Sequence, residues 1–563
     1  MRQTTIPTMD GPLVTFDRLS RKLLKLLPNE PWQAAVACAA AARRYINPGM
    51  VGLPGKFSVW QLGGLALASL NRCNVPTPDQ RTQLHGLEQG YFHSLMYVAS
   101  GLNAEGGLWS PATQRRYQAR LTLLRVACTQ SSLQGDLLTQ LGSTLYLLGT
   151  YDLDGSPLES SVDILFEEAF GCRAGDYASI MAMLWSLCQK SDAFTSSSLL
   201  AGAPPFTQDS VNKIVAELTC RVSSVRKVLR QSFGRHKGGG IVHAFYARYP
   251  LLGLAADEAL FPPHPFLRFH LARGVLFKAI ELAVKSEAAR GNPKPENNKY
   301  LQSMGRRFEN LVSCVLNHAR CGDVVNEYEY RNKPNAKTAD FMVFSRQNDA
   351  CVVIQAKMKR LSRGAFFGSD LEAFRRDARE TLAASVVQSI RFMRKLEQAS
   401  NENALAAEGK DDSRRLLSAC RWMLVSVVPA MPPVFRFNEF RRVLEDGLSE
   451  QLDPEDRKWW VNNQNRVAGW HVIELEELTW FARCRQGRDL FEALEEYLGQ
   501  SNFGEITESF PASFKDFILK TDPSTEPPRH IPELEAIHNE FWSQTRQYLG
   551  FRGEQTNVSP AAS

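Results

Sequence analysis

Thr338-Ala-Asp-Phe-Met-Val-Phe344 and the nearby Ala350-Cys-Val-Val-Ile-Gln-Ala-Lys-Met358 decide how this chain reads. Both runs are short, apolar and rich in β-branched or aromatic residues, the pattern of buried strands. The first carries a lone acid, Asp340. The second carries a polar pair, Gln355 and Lys357. Residues two apart on a strand share a face, so Gln355 and Lys357 project together and Asp340 can meet them from the neighbouring strand. Burying a carboxylate and an ammonium among apolar residues is costly unless they pair or hold a metal. The pattern therefore marks a candidate site.

Working outward, a helix is expected over 304–316 and a short alternating strand at Val325-Asn-Glu-Tyr-Glu-Tyr330. After the two central strands come a long charged helix over 370–396 and a polar linker over 401–412. Another apolar strand follows at Arg421-Trp-Met-Leu-Val-Ser-Val-Val428, then helices, then a last strand at Trp470-His-Val-Ile-Glu-Leu475. That order predicts an α/β domain with a mixed central sheet over 296–515. Beyond a Pro-rich linker, an amphipathic helix is expected over 530–550, with Phe541 and Trp542 on its apolar side. The tail 553–563 reads as disordered.

Upstream the periodicity changes. Leu and Ala recur at helical spacing in 32–45, 60–70, 84–98, 115–148, 176–187, 211–229 and 267–284, with Pro, Gly and Ser clusters between them. Strand-like alternation is scarce and no fixed-period repeat is evident. Gly291-Asn-Pro-Lys-Pro-Glu-Asn-Asn298 reads as a boundary. The expected fold class is α+β multidomain: an all-helical region over 1–290, then the α/β domain.

Composition sets bounds. The chain has 563 residues, 44% hydrophobic and 22% charged, an ordinary globular balance with a net charge of +6. That charge is compatible with nucleic acid but too mild to argue for it alone. The 11 cysteines are scattered with no Cys-x-x-Cys pair, which predicts reduced, buried thiols in a cytoplasmic protein rather than a zinc site. No apolar run approaches the roughly 20 residues needed to span a bilayer, and no apolar leader is evident, so no membrane partner is expected.

One further acid joins the constellation: Glu309, in Gly305-Arg-Arg-Phe-Glu309 on the helix before the strands. A helix glutamate, a strand acid and a (D/E/Q)-x-K signature on the next strand resemble the PD-(D/E)xK nuclease superfamily, of restriction-endonuclease-like fold. Gln355-Ala-Lys357 is similar to the Mrr branch. The resemblance covers 305 to about 475, well under half of the chain. It implies a metal-dependent nuclease hydrolysing DNA phosphodiester bonds, an endonuclease in prokaryotic defence against phage or foreign DNA. Asp340 and Gln355 would hold Mg²⁺ or Mn²⁺, Glu309 would reach it directly or through water, and Lys357 would orient the attacking water and stabilise developing charge. Gln388, on the following helix, would be an accessory substrate contact. Two positions depart from the pattern. Ala339 precedes the acid where proline is common. Gln355 replaces the usual acid and removes one negative charge, so the metal would be held more weakly.

The resemblance leaves a different class open: a nuclease fold that binds or scaffolds DNA without cutting it. A ribonuclease with the same site is a further alternative. A homodimer is compatible with cutting two strands, and the helical region would recognise a trigger or protein partner.

Lys359, Arg360, Arg363, Arg375 and Arg376 cluster after the signature. They read equally well as a phosphate-backbone surface or as a solvated face balanced by Asp370, Glu372, Asp377 and Glu380. Glu327 and Glu329, alternating with tyrosines, read as the solvated face of an edge strand. Gly52-Leu-Pro-Gly-Lys-Phe-Ser58 lacks phosphate-loop spacing, and Gly234-Arg-His-Lys-Gly-Gly-Gly240 reads as a basic turn between helices.

Overall fold

The computed structural model describes residues 136–188, 191, 193–200, 205–233, 245–253, 258–260, 265–289, 298–333, 336–347, 349–358, 371–430, 438–499, 514–521 and 530–548. The helices expected before residue 136, the cations Lys359, Arg360 and Arg363, and the tail 553–563 lie outside these residues. The chain divides into two compact units. Unit 1 takes Met1–Pro111, Thr144–Pro293 and Ala536–Ser563; unit 2 takes Ala112–Ser143 and Lys294–Glu535.

In unit 1, helices α1 (Asp163–Phe170), α2 (Ala174–Cys188), α3 (Gln208–Leu218), α4 (Val225–Phe233) and α5 (Val275–Ala289) bury an aromatic and aliphatic core. Phe166, Tyr177, Ile180, Met181, Val211, Ile214 and Phe277 are all within it. Thr207 starts α3 by accepting a hydrogen bond from the Ser210 N–H, a side-chain cap. The expectation of an all-helical region is corrected here. Strands β1 (Ala193–Thr195), β2 (Thr219–Arg221), β3 (Leu251–Gly253) and β4 (Glu258–Leu260) form a sheet of order β1-β4-β3-β2. Three-residue strands are too short to display alternation. Their pairing joins segments distant in sequence, such as Ala193 with Leu260, which no local pattern reports.

Unit 2 is built on a five-stranded mixed sheet of order β5-β6-β7-β8-β9. The strands are β5 (Asp323–Asn326), β6 (Phe341–Phe344), β7 (Ala350–Ala356), β8 (Arg421–Val428) and β9 (Val467–Glu474). The first three run antiparallel to one another, and β7, β8 and β9 run parallel. The central strands β7 and β8 are near-continuous apolar runs because both of their faces are covered. On one face Met342, Phe344, Cys351, Val353, Trp422 and Leu424 pack against Val386, Ile390 and Met393 of helix α7 (Ala384–Asn401). Helix α6 (Lys299–Ala319) precedes the sheet. Asn298 caps it by accepting from the Tyr300 and Leu301 N–H groups, and Arg320 ends it in the left-handed region at φ 49°.

Gly322 follows at φ +150°, where an added Cβ would stand 2.4 Å from the Phe344 carbonyl oxygen. Glycine is needed there for β5 to approach β6. The expected strand 325–330 begins earlier and ends sooner. After Asn326 the chain leaves the ladder, and Tyr328 and Thr338 exchange hydrogen bonds across a reversal.

Candidate active site

Asp340 stands one residue before β6. The last ladder pair of β6 and β7 is Phe341 with Ile354, so the next step sets Asp340 opposite Gln355. Lys357 lies one residue beyond β7, and its N–H still donates to the Val427 carbonyl, so β8 holds it in extended line. The sheet thus delivers the acid, the amide and the lysine to one end of two adjacent strands.

The Asp340 side chain is 13% exposed. Its Oδ2 accepts from the Ala356 N–H at 2.7 Å and lies 3.3 Å from Lys357 Nζ. Burial raises the Asp340 pKa above the usual carboxylate range, against the lowering pull of Lys357 and the Ala356 N–H. Glu309 projects, exposed, from α6, which is anchored by buried Met304, Phe308 and Val312. Its pKa is raised by partial burial first and by the Asp340 charge second, with Lys357 acting against both. The two acids and the lysine therefore share one electrostatic environment.

Gln355 is 1% exposed, and its Oε1 is buried without a hydrogen-bond partner among the described residues. A buried amide oxygen left unmatched costs about 1–3 kcal/mol, and such groups are uncommon. Next to it in register is Ser426 of β8, whose hydroxyl pairs with that of Ser385 on α7. Ser385 also donates to the Leu382 carbonyl within the π-helical turn Ala378–Ala383 that precedes α7.

Arg375 donates to Glu372 at 2.7 Å, and Arg376 pairs with Asp377 at 3.4 Å. Gln388 is exposed on α7. Glu327 is exposed, in keeping with its sequence reading as a solvated edge residue, and its charge also reaches this neighbourhood. Its charge raises both Asp340 and Glu309, and its own Oε2 takes the Lys337 ammonium at 2.7 Å. Only the reversal after β5 reveals this. Ser385 and Ser426 carried no signal either, since a serine within an apolar run reads as filler.

Among the described residues, no group of three or more His, Cys, Asp or Glu side chains is placed to hold a metal ion. The oxygen donors gathered here are instead a carboxylate and an amide, with a second carboxylate nearby. They are hard ligands, suited to a magnesium ion that keeps several of its waters. Compared with protein families, curated proteins and solved structures, the chain gives no match.

Proposed function

We propose that this chain is a metal-dependent nuclease that hydrolyses DNA phosphodiester bonds at the Asp340–Gln355–Lys357 strand end. The observation that carries the reading is the buried, unmatched Gln355 Oε1 beside an Asp340 carboxylate that burial disfavours. Both groups are costly as they stand, and a hard divalent cation would relieve both. When bound, Mg²⁺ or Mn²⁺ would lower the pKa of a coordinated water and neutralise charge on the phosphate.

The chain's own residues would do the rest. Asp340 Oδ1, which takes part in neither contact of Oδ2, and Gln355 Oε1 would hold the cation, with Glu309 reaching it through water. Lys357 would give up its contact with Asp340 to orient the attacking water and to stabilise the charge developing on phosphate. The Ala356 N–H would keep the Asp340 carboxylate aimed during that exchange. The Asp340–Lys357 contact and the neutral Gln355 also favour a second reading, a DNA-binding protein whose site no longer cuts.

Cleavage of plasmid DNA by purified protein with Mg²⁺ or Mn²⁺ separates the two readings. Wild type is expected to nick or linearise, with Lys357→Ala and Asp340→Ala reduced about 100-fold or more. Full cleavage by Lys357→Ala would refute the site. Binding by wild type without cleavage under either metal would favour the second reading. Matched RNA as sole substrate would replace DNA in the first.

A further inference from the structure

The net charge of the chain is not spread evenly. Between Glu217 and Asp257 there is no acidic residue, but there are seven Lys and Arg. That stretch carries +7 of a total of +6, so the rest of the chain sums to −1. The helix α4 lies inside it. Val225 and Leu229 are buried on one side, at 0% and 6% exposure. Arg226, Lys227 and Arg230 are exposed on the other, with Arg221 exposed just upstream.

These cations lack ion-pair partners among the described residues. Elsewhere in the same unit, Lys213 holds Asp209 at 2.6 Å, Lys278 holds Glu217 at 2.7 Å and Lys285 holds Glu281 at 3.0 Å. Arg226 and Arg230 stand four apart on the helix, where like charges repel by a few tenths of a kcal/mol. Among the described residues no acid offsets that cost. A basic stripe along one helix is the electrostatic footprint of a nucleic-acid surface.

We infer that the solvent face of α4, Arg226, Lys227 and Arg230, is a docking surface for the phosphate backbone of nucleic acid. A membrane fits less well. An interfacial helix inserts its apolar side into lipid, whereas Val225 and Leu229 are already turned into the core of unit 1. Arg226 to Arg230 spans about 6 Å of helix axis, enough to meet two successive phosphates at about 3.4 Å of axial rise per strand nucleotide. Such a surface fixes register and orientation and reads no sequence. It stands on the charge of unit 1 and does not depend on the cleavage reading.

The experiment is fluorescence anisotropy of the full chain with a labelled DNA duplex of about 30 base pairs, long enough to exceed a single-module footprint, in EDTA, across a series of KCl concentrations. The triple variant Arg226→Gln, Lys227→Gln, Arg230→Gln is expected to bind at least about 10-fold more weakly. Its salt slope should fall by about 2–3, near 0.9 for each phosphate that the variant no longer neutralises. The charge-keeping triple, Arg226→Lys, Lys227→Arg, Arg230→Lys, should bind as wild type does, which separates charge from folding. Unchanged affinity and slope in the neutral triple would overturn the inference. So would weakened binding in the charge-keeping triple. Tighter binding to phosphatidylserine–phosphatidylcholine vesicles than to the duplex would overturn the choice of partner. Because the assay runs in EDTA, it reads binding without metal-dependent hydrolysis, so loss of cleavage alone leaves this inference standing.

Discussion

Asp340 is held by two opposed effects: burial that favours its protonated form, and Lys357 with the Ala356 N–H that favour the charged one. Burial dominates, so its folded-state pKa lies above the unfolded value. A raised carboxyl contributes stability that is fully present below the ordinary aspartate range and is lost as pH rises through the raised pKa. Asp340→Asn mimics the protonated form. It should melt above wild type at neutral pH, by about 2–4 °C for each kcal/mol regained, and the gap should close as the pH is lowered towards the ordinary aspartate range. A scan of melting temperature against pH checks this; an Asn variant less stable at neutral pH would show that the ion pair outweighs burial. Gln355 makes a parallel case. Gln355→Met removes an unmatched buried amide at similar volume, so stability should rise by roughly 1 kcal/mol in urea denaturation while metal-dependent cleavage falls. Asp340, Gln355 and Lys357 were legible in the sequence because polar residues inside apolar strands are expensive. Glu327 was not, because its alternation with tyrosines is also the pattern of an ordinary edge strand.

The helices behind the sheet set how well these residues are held. The predicted single helix over 370–396 is in fact Leu371–Asp377, the π-helical turn Ala378–Ala383, and α7. A π turn shifts the helical phase, and here it precedes Ser385, which meets Ser426 beside Gln355. Helix α7 is tied further along to helix α8 (Pro454–Asn463) through Asp456, which is fully buried. Arg391 Nε and Arg394 Nε each donate to that carboxylate at 2.7 Å. Asp456→Ala would leave two guanidinium groups without their shared acceptor, although Arg391 is itself about half exposed. It should cost on the order of 3 kcal/mol in chemical denaturation, less if water solvates Arg391. Cleavage should weaken only in proportion to the unfolded fraction; a larger loss would mean that α7 positions the site. Strand β8 was legible to the residue, since its apolar run has one period and clear ends. The helix break was not, because π turns carry no composition signal.

At the scale of the whole chain, sequence distance is a poor guide to which unit a segment joins. Ala112–Ser143 belongs to unit 2 although the long segment Thr144–Pro293 separates it from Lys294. Its described end shows what binds it there. Asp136 accepts from Arg483, whose side chain is 4% exposed, while Glu476 accepts from the Asp136 N–H at 2.9 Å and from Gln140 Nε2 at 2.6 Å. Breaking a buried ion pair by removing one partner is strongly destabilising, so Asp136→Ala should lower stability by about 3 kcal/mol in urea denaturation. No change would mean that this segment is dispensable to the unit. The sequence by itself determined the central strands β7 and β8, the helix carrying Glu309, and the polar residues set among them. Each is a local pattern of periodicity or of misplaced polarity, and such patterns survive in one dimension. Only the tertiary structure decided the small sheet of unit 1, the entry of Glu327 into the neighbourhood of Asp340, and the tie of Asp136 to Arg483. Those depend on pairings between distant segments, whose free energy is written in contacts rather than in any single stretch of chain.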